Sequence, residues 1–302
     1  MRRTLVGAAL AGVVTLGSSQ MPPTNVASIA VSVTTDTGST VGGLTAGDFD
    51  VRVDGQPAAI QRVTAPPVPI TLVVLFDITS SMTMYGGIEE EIARSVVPSL
   101  RAGDRARVGA IANRLSLAPV FSSAPREILA AGRKAMSVRR EDRYGPSPIW
   151  DALKTSADAL ASESGRRAIL IVTDGRATGN AVSAADAVDA AVAAEAVVEV
   201  LSENRTSFYR QGAEQSYVRV RTGYVLEELA RLTGGLILPS DPKPTADLPP
   251  ASEAIPRLIN DVREMYSIEI AQPGPAGSAH RVEVRVKRGG LAVRARSALR
   301  VP

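Results

Sequence analysis

Apolar residues between Ile70 and about Ser240 form short continuous runs that alternate with stretches of helical spacing. The runs at residues 72–76 (LVVLF) and 168–173 (AILIVT) show no polar alternation, which is typical of strands covered on both faces of a parallel sheet. Further short strands are predicted at residues 106–112, 196–201 and 236–238. The middle of the chain therefore contains several buried strands.

Helices are predicted between these strands, because apolar residues recur there at spacings of three and four. The periodic sets are Ile88, Ile92, Val96 and Leu100; Ile149, Leu153, Ala157 and Leu160; Val225, Leu226, Leu229 and Leu232; and Ile255, Leu258, Ile259 and Val262. A repeated order of strand and helix predicts an α/β fold class, with a doubly wound and mostly parallel sheet of Rossmann-like form.

The two flanks have a different pattern, in which apolar and polar residues alternate as in half-buried antiparallel strands. Each flank has only about 40 residues, too few for a core of its own. We therefore predict that they pair into a second, smaller all-β sandwich-like domain, with the α/β domain inserted between them. A common apolar layer is expected from Phe49, Val51, Val53, Tyr266, Ile268, Val284 and Val293.

The first residues resemble a secretory signal peptide: Arg2 and Arg3 precede an apolar run at 5–16 and the small residues at 17–19. Retention as an anchor is the alternative, although the run is short for a bilayer. The predicted organisation is a signal peptide at 1–19, an N-terminal β region at 20–66, the α/β domain at 67–265 and C-terminal β strands at 266–302. The mature protein is expected in the periplasm, or secreted and at the cell surface.

The charge and the cysteine content of the chain limit which partners and metal sites can be expected. The net charge of +3 includes Arg2 and Arg3 of the predicted signal, so basicity does not indicate a nucleic-acid partner. The chain contains no cysteine, which excludes disulfides and thiolate metal sites.

Hydroxyl and carboxyl groups cluster where the buried strands end. Asp77 follows the first buried run, and Thr79 and Ser81 come at alternate positions after it. Ser147 precedes a predicted helix, and Asp174 closes the run at 168–173. In an open α/β sheet, ligands bind at the carboxyl edge of the strands, near the topological switch point. The alternative for the first motif alone is a strand-to-helix turn with N-capping hydroxyls.

These segments resemble the metal-ion-dependent adhesion site of von Willebrand factor type A domains, an Asp-x-Ser-x-Ser motif with a distant Thr and a distant Asp. The matching residues are Asp77, Thr79, Ser81, Ser147 and Asp174. Thr79 replaces a serine and Ser147 a threonine, but both keep a hydroxyl oxygen. The resemblance covers about residues 69–266, and residues 43–55 and 265–296 are similar to the flanks of a group of exported bacterial proteins that contain this domain.

The resemblance implies a function. Hard cations such as Mg²⁺ or Mn²⁺ prefer oxygen ligands, and the five side chains would leave a bound cation incompletely neutralised. A carboxylate from a protein partner would then take the open position, with no small-molecule substrate. We assign Tyr85 and Arg143 to the rim that contacts this partner. The alternative is a structural or scaffold protein of the envelope whose metal site is silent.

Enzymatic activity is not expected. His280 is the only histidine and lies in the predicted C-terminal β region, away from the hydroxyl cluster. Thr79 stands where an aspartyl phosphatase needs a second acid, and the chain has no Gly-rich phosphate loop with Lys-Ser or Lys-Thr. Gly86 and Gly87 lack the further spaced glycine of a dinucleotide site.

Overall fold

A computed structural model describes residues 26–82, 88–203, 225–240 and 250–301. The predicted signal peptide at 1–19 and the predicted rim residue Tyr85 lie outside these ranges. Within them, no helix has both the length and the apolar character needed to cross a membrane.

The elements follow one another in three groups. The N-terminal flank contains β1 (Val26–Thr35), β2 (Phe49–Val53), β3 (Gln56–Pro57) and β4 (Ile60–Thr64). The strands of the middle region are β5 (Ile70–Asp77), β6 (Arg105–Ile111), β7 (Leu115–Leu117), β8 (Arg166–Thr173), β9 (Val197–Glu203) and β10 (Ile237–Ser240). Its helices are α1 (Ile88–Glu91, a π turn Ile92–Val96 and Val97–Ser99), α2 (Pro125–Met136), α3 (Ile149–Leu160), α4 (Ala184–Ala193), α5 (225–233) and α6 (Ala251–Arg263). The C-terminal flank contains β11 (Tyr266–Ala271), β12 (Ala279–Val286), β13 (Leu291–Ala295) and β14 (Ala298–Arg300).

The middle region is built on a six-stranded sheet in the order β10-β9-β8-β5-β6-β7. Its strands are parallel, except that β7 runs antiparallel to β6. All eight residues of β5 are buried, which explains the unbroken apolar run. The chain leaves β5 for β6 on one side and returns as β8 on the other side. The predicted doubly wound fold is therefore confirmed, with a switch point at the carboxyl end of β5.

Helices cover both faces of this sheet. One apolar core joins the sheet to α1, α2 and α6, with Ile92, Ile128 and Leu258 among its buried residues. The other core joins the opposite face to α3, α4 and α5, and includes Leu153 and Leu229. Helices on both faces leave only the sheet edges and loops open to a ligand.

Two of these helices, α2 and α4, were not predicted from the sequence. Helix α4 has the sequence AADAVDAAVA and buries only Ala187, Ala191 and Val192. Helix α2 buries Ile128 with the small residues Gly132 and Ala135. In α4, small residues on the buried face produce little contrast with the exposed face, so its helical period is weak.

Both flanks contribute to both sheets of the β unit, whose orders are β13-β1-β11-β4 and β14-β12-β2-β3. Strand β1 pairs with β11 and β13, and β2 pairs with β12. The predicted common layer is confirmed: Phe49, Val51, Val53, Tyr266 and Ile268 are buried in one cluster, with Val284 and Val293 packed against it. Strands β4 and β11 are neighbours, so the chain enters and leaves the α/β domain at adjacent strands.

Buried arginines join the β unit to the amino edge of the six-stranded sheet. Arg166, at the start of β8, donates to the carbonyls of Val262 (2.8 Å) and Met265 (2.5 Å) at the end of α6. Arg296, which follows β13, donates to the carbonyl of Val192 (2.8 Å) near the end of α4. Cations at helix C-termini are favourable. The β unit therefore holds the edge opposite to the one that carries Asp77.

Candidate metal centre at the carboxyl edge

Asp77 is the last residue of β5, and its carboxyl group is completely buried. Its Oδ1 accepts hydrogen bonds from the backbone amide of Thr79 (3.1 Å) and from Thr79 Oγ1 (2.7 Å). Its Oδ2 accepts from Ser147 Oγ (3.0 Å) and Thr173 Oγ1 (2.9 Å). The structure thus brings three of the five predicted side chains together around one carboxylate.

Thr79 and Ser81 lie side by side, with their hydroxyl oxygens 3.3 Å apart. Thr79 Oγ1 has one hydrogen and donates it to Asp77. Ser81 must therefore be the donor between the two hydroxyls. Alternate side chains of this turn converge, as the spacing predicts.

Asp174 directly follows β8 and is buried, and its Oδ1 accepts the backbone amide of Arg176 at 3.2 Å. The pKa of Asp77 is raised to about 6, chiefly by burial and in addition by the negative charge of Asp174, against the lowering effect of hydrogen bonds from Thr79 and Thr173. The site therefore combines two carboxyl groups whose joint ionisation is unfavourable without a cation.

The loop after β8 is fastened to the Ser147 loop. The amide of Ser147 donates to Thr178 Oγ1 at 3.0 Å, and the amide of Thr178 donates back to the Ser147 carbonyl at 2.8 Å. Gly179 has a φ of +64°, and a Cβ there would lie 2.4 Å from Cβ of Pro146. Only glycine fits this close approach. Ser147 is consequently held in place beside Asp77.

A second connection joins the Asp77 loop to the segment before Ser147. The amide of Ser80 donates to the carbonyl of Arg143 at 2.7 Å. The Arg143 guanidinium is half-buried, and its Nη2 contacts the carbonyl of Met136 at the end of α2 (3.4 Å). The neighbouring Tyr144 is 64 % exposed. Contact of Arg143 with a partner stays a prediction, whereas Tyr144 faces solvent.

Thr173 belongs to the site although the sequence motif does not include it. Its hydroxyl donates to Asp77 and accepts the amide of Gly175 at 3.0 Å, so it orients the Asp77 carboxylate. The available signal was a hydroxyl residue at the end of an otherwise apolar strand, immediately before Asp174.

The donor chemistry fits a hard divalent cation. Thr79 and Ser147 point their hydrogens at Asp77, so the lone pairs of both hydroxyl oxygens stay available to a metal. Among the described residues, no group of three or more His, Cys, Asp or Glu side chains could hold an ion. With only two carboxylates, hydroxyls and water must supply the other ligands, as suits a cation that retains part of its hydration.

Comparisons with known proteins give structural matches only. No family model matches the chain, and no curated protein matches its sequence. A von Willebrand factor type A structure from Catenulispora acidiphila is 12 % identical, with a TM-score of 0.47, over 92 % of this chain and 75 % of that chain. An aerotolerance-related membrane protein from Bacteroides fragilis is 16 % identical, with a TM-score of 0.47, over 65 % of this chain and 100 % of that chain. Manganese-loaded TRAP from Plasmodium vivax is 15 % identical, with a TM-score of 0.41, over 82 % and 97 % respectively.

Proposed function

We propose that this chain is an exported, non-enzymatic module of the von Willebrand factor type A kind that captures a protein partner through Mg²⁺ or Mn²⁺. The cation would lie among Asp77, Thr79, Ser81, Ser147 and Asp174. The proposal depends on the fully buried Asp77 carboxylate, which accepts hydrogen bonds from hydroxyl groups of three separate chain segments and lies near a second buried acid. Such an arrangement costs stability unless a cation compensates it.

The side chains have distinct roles in this proposal. Thr79, Ser81 and Ser147 offer neutral oxygens to the cation, and Asp77 orients two of these hydroxyls by accepting their hydrogens. Asp174 balances charge, directly or through water. The bound cation would supply an electrophilic position that accepts a carboxylate from outside. Because the hydroxyl ligands are neutral, they leave more of the cation's positive charge to attract that carboxylate.

A catalytic role has less support. His280 lies in β12 of the β unit, where Nδ1 lies 2.7 Å from Asp54 Oδ2 and Nε2 lies 2.8 Å from Ser278 Oγ. It belongs to a different part of the molecule from Asp77, so it cannot serve there as a general base. The second candidate function is a scaffold with a silent metal site, which the metal titration below separates from the first.

Isothermal titration of Mg²⁺ and of Mn²⁺ into the mature chain tests metal binding. We expect one site per chain, with binding lost in Asp174→Ala and weakened about tenfold or more in Ser147→Ala, since each removes a ligand. Ser137→Ala is the matched control, because Ser137 is an exposed serine that follows α2. Absence of binding, or equal binding by Ser147→Ala and Ser137→Ala, would overturn the metal assignment.

Partner capture needs a separate measurement. A labelled peptide with one aspartate among serines should bind in Mg²⁺ and be released by a chelator, because its carboxylate completes the metal coordination. The same peptide with asparagine in place of aspartate is the control. Metal binding without any preference for the aspartate peptide would support the scaffold with a silent site.

A further inference from the structure

Three arginines without an ion-pair partner in the described part of the chain flank the candidate metal centre. They are Arg114, Arg140 and Arg176. Arg114 and Arg140 are exposed, and Arg176 is half-buried. Several other arginines of the described ranges pair with a carboxylate, such as Arg105 with Glu163 at 2.6 Å.

Each of the three arginines belongs to a different loop of the carboxyl edge. Arg114 lies after β6, whose last residue Ile111 accepts the amide of Ile78 beside Asp77 (2.9 Å). Arg176 is two residues beyond Asp174. Arg140 directly precedes the 3-10 turn Glu141–Tyr144, which leads to Ser147. Three loops that adjoin the site therefore each carry one of these arginines.

Tyr144 adds an apolar surface between these charges. It is one of two large hydrophobic side chains that are exposed in the described ranges, the other being Val120. Its 3-10 turn is braced, because the amide and the Nδ2 of Asn113 donate to the carbonyl (3.0 Å) and the Oδ1 (2.7 Å) of Asp142. An exposed aromatic side chain on a braced turn is a favourable contact point for a partner, since the turn loses little entropy on binding.

We propose that the partner is a polyacidic protein segment with an apolar residue among its acids. One carboxylate takes the open position of the cation, flanking carboxylates pair with Arg114, Arg140 and Arg176, and the apolar side chain packs on Tyr144. This proposal rests on the proposed function and specifies its partner. Guanidinium groups suit carboxylates because they bind them through two parallel hydrogen bonds.

Fluorescence polarisation with labelled peptides tests the proposal at low salt, in Mg²⁺. The first peptide has several aspartates around one leucine, and the second has one aspartate among serines. We expect the first to bind about tenfold more tightly, as several exposed ion pairs together allow. The triple variant Arg114→Ala, Arg140→Ala, Arg176→Ala should remove this preference and leave the Mg²⁺ titration unchanged.

Two further variants sharpen the test. Arg126→Ala is the matched control, because Arg126 is exposed and has no ion pair in the described ranges. It lies at the start of α2, four residues after Ser122, which bridges to Ala106 at the amino edge. It should bind both peptides like the wild type. Tyr144→Ala should weaken binding of the first peptide. It should not weaken binding of the same peptide with serine in place of leucine.

The outcomes separate the two proposals. Equal binding of both peptides in Mg²⁺, an equal loss in Arg126→Ala, or equally tight binding of an oligonucleotide would overturn the polyacidic partner and leave metal-dependent capture intact. A preference for the first peptide that persists in chelator and in Asp77→Asn would support the acidic-segment surface and overturn the metal-dependent function.

Discussion

Buried charged side chains are arranged in opposite ways at the amino edge and at the carboxyl edge of the six-stranded sheet. At the amino edge, Arg263 and Asp104 form an ion pair of 2.6 Å with side chains only 2 % and 1 % exposed. Asp104 Oδ1 also accepts the amide of Ile70 at 2.9 Å. At the carboxyl edge, Asp77 lies near the like charge of Asp174. One edge pairs its charges within the chain, and the other brings like charges together.

The pKa values reflect this contrast. Burial lowers the pKa of Arg166 and of Arg296 to about 10, which still leaves both charged at neutral pH and bound to carbonyl groups. Burial raises the pKa of Asp77 to about 6, so its charged form is held only at a cost. We infer that the charged groups of the amino edge stabilise the fold. Those of the carboxyl edge lower the stability of the fold and serve ligand binding.

The largest expected effect is at the amino edge. Arg263→Met leaves Asp104 buried without its cation, so the free energy of unfolding should fall by about 3–5 kcal/mol. Urea denaturation of wild type and variant measures this loss in the free energy of unfolding. Arg101→Met is the control, because Arg101 is exposed and its contact with Glu264 is 3.4 Å long. A loss below about 1 kcal/mol in Arg263→Met would remove the contrast between the edges.

At the carboxyl edge, Asp77→Asn should change the free energy of unfolding in the opposite direction. Without metal, the free energy of unfolding should rise by about 1–3 kcal/mol at neutral pH, because the substitution removes a buried charge. The amide fits, since the hydroxyls of Ser147 and Thr173 can turn to accept hydrogens from Nδ2. The stabilisation by Mg²⁺ should disappear. A variant less stable than the wild type without metal would instead indicate a purely structural carboxylate.

The pH dependence of stability follows from the same group. The pKa of Asp77 is raised from 3.8 in an ordinary carboxyl group to about 6 in the folded chain. Its stabilising contribution is therefore complete below about pH 4 and is lost as the pH rises through about 6. To isolate the contribution of Asp77, the unfolding free energies of wild type and Asp77→Asn are compared in chelator across this pH range. A difference that stays constant with pH would refute the raised pKa.

The smallest predicted effect concerns Thr173. Thr173→Val removes the hydrogen bond to Asp77 and the one from the Gly175 amide, so stability should fall by about 1–2 kcal/mol and Mg²⁺ affinity by a few-fold. Thr233→Val is the matched control, since the buried Thr233 hydroxyl accepts the amide of Val198 and donates to the carbonyl of Leu229, close to the amino edge. It should lose similar stability with unchanged Mg²⁺ affinity. Equal Mg²⁺ affinity in both variants would assign Thr173 a structural role only.

The sequence predicts the carboxyl edge better than the amino edge. Asp77, Thr79 and Ser147 were identifiable because polar residues directly after buried strands of a parallel sheet meet at one edge. The roles of Arg166 and Arg296 were not identifiable, because most of their acceptors are backbone carbonyls, such as those of Val262 and Val192 near helix ends, which only the assembled fold brings near. Backbone acceptors have no residue type, so no motif indicates them.

Locating the cation in a crystal shows whether the carboxyl edge binds a metal. Crystals of the mature chain grown with Mn²⁺ should give one strong anomalous scattering peak among Asp77, Ser81 and Ser147, and the peak should be absent from crystals of Asp77→Asn. A peak elsewhere on the molecule, or no peak at a saturating Mn²⁺ concentration, would contradict the claim that the carboxyl edge is a metal site.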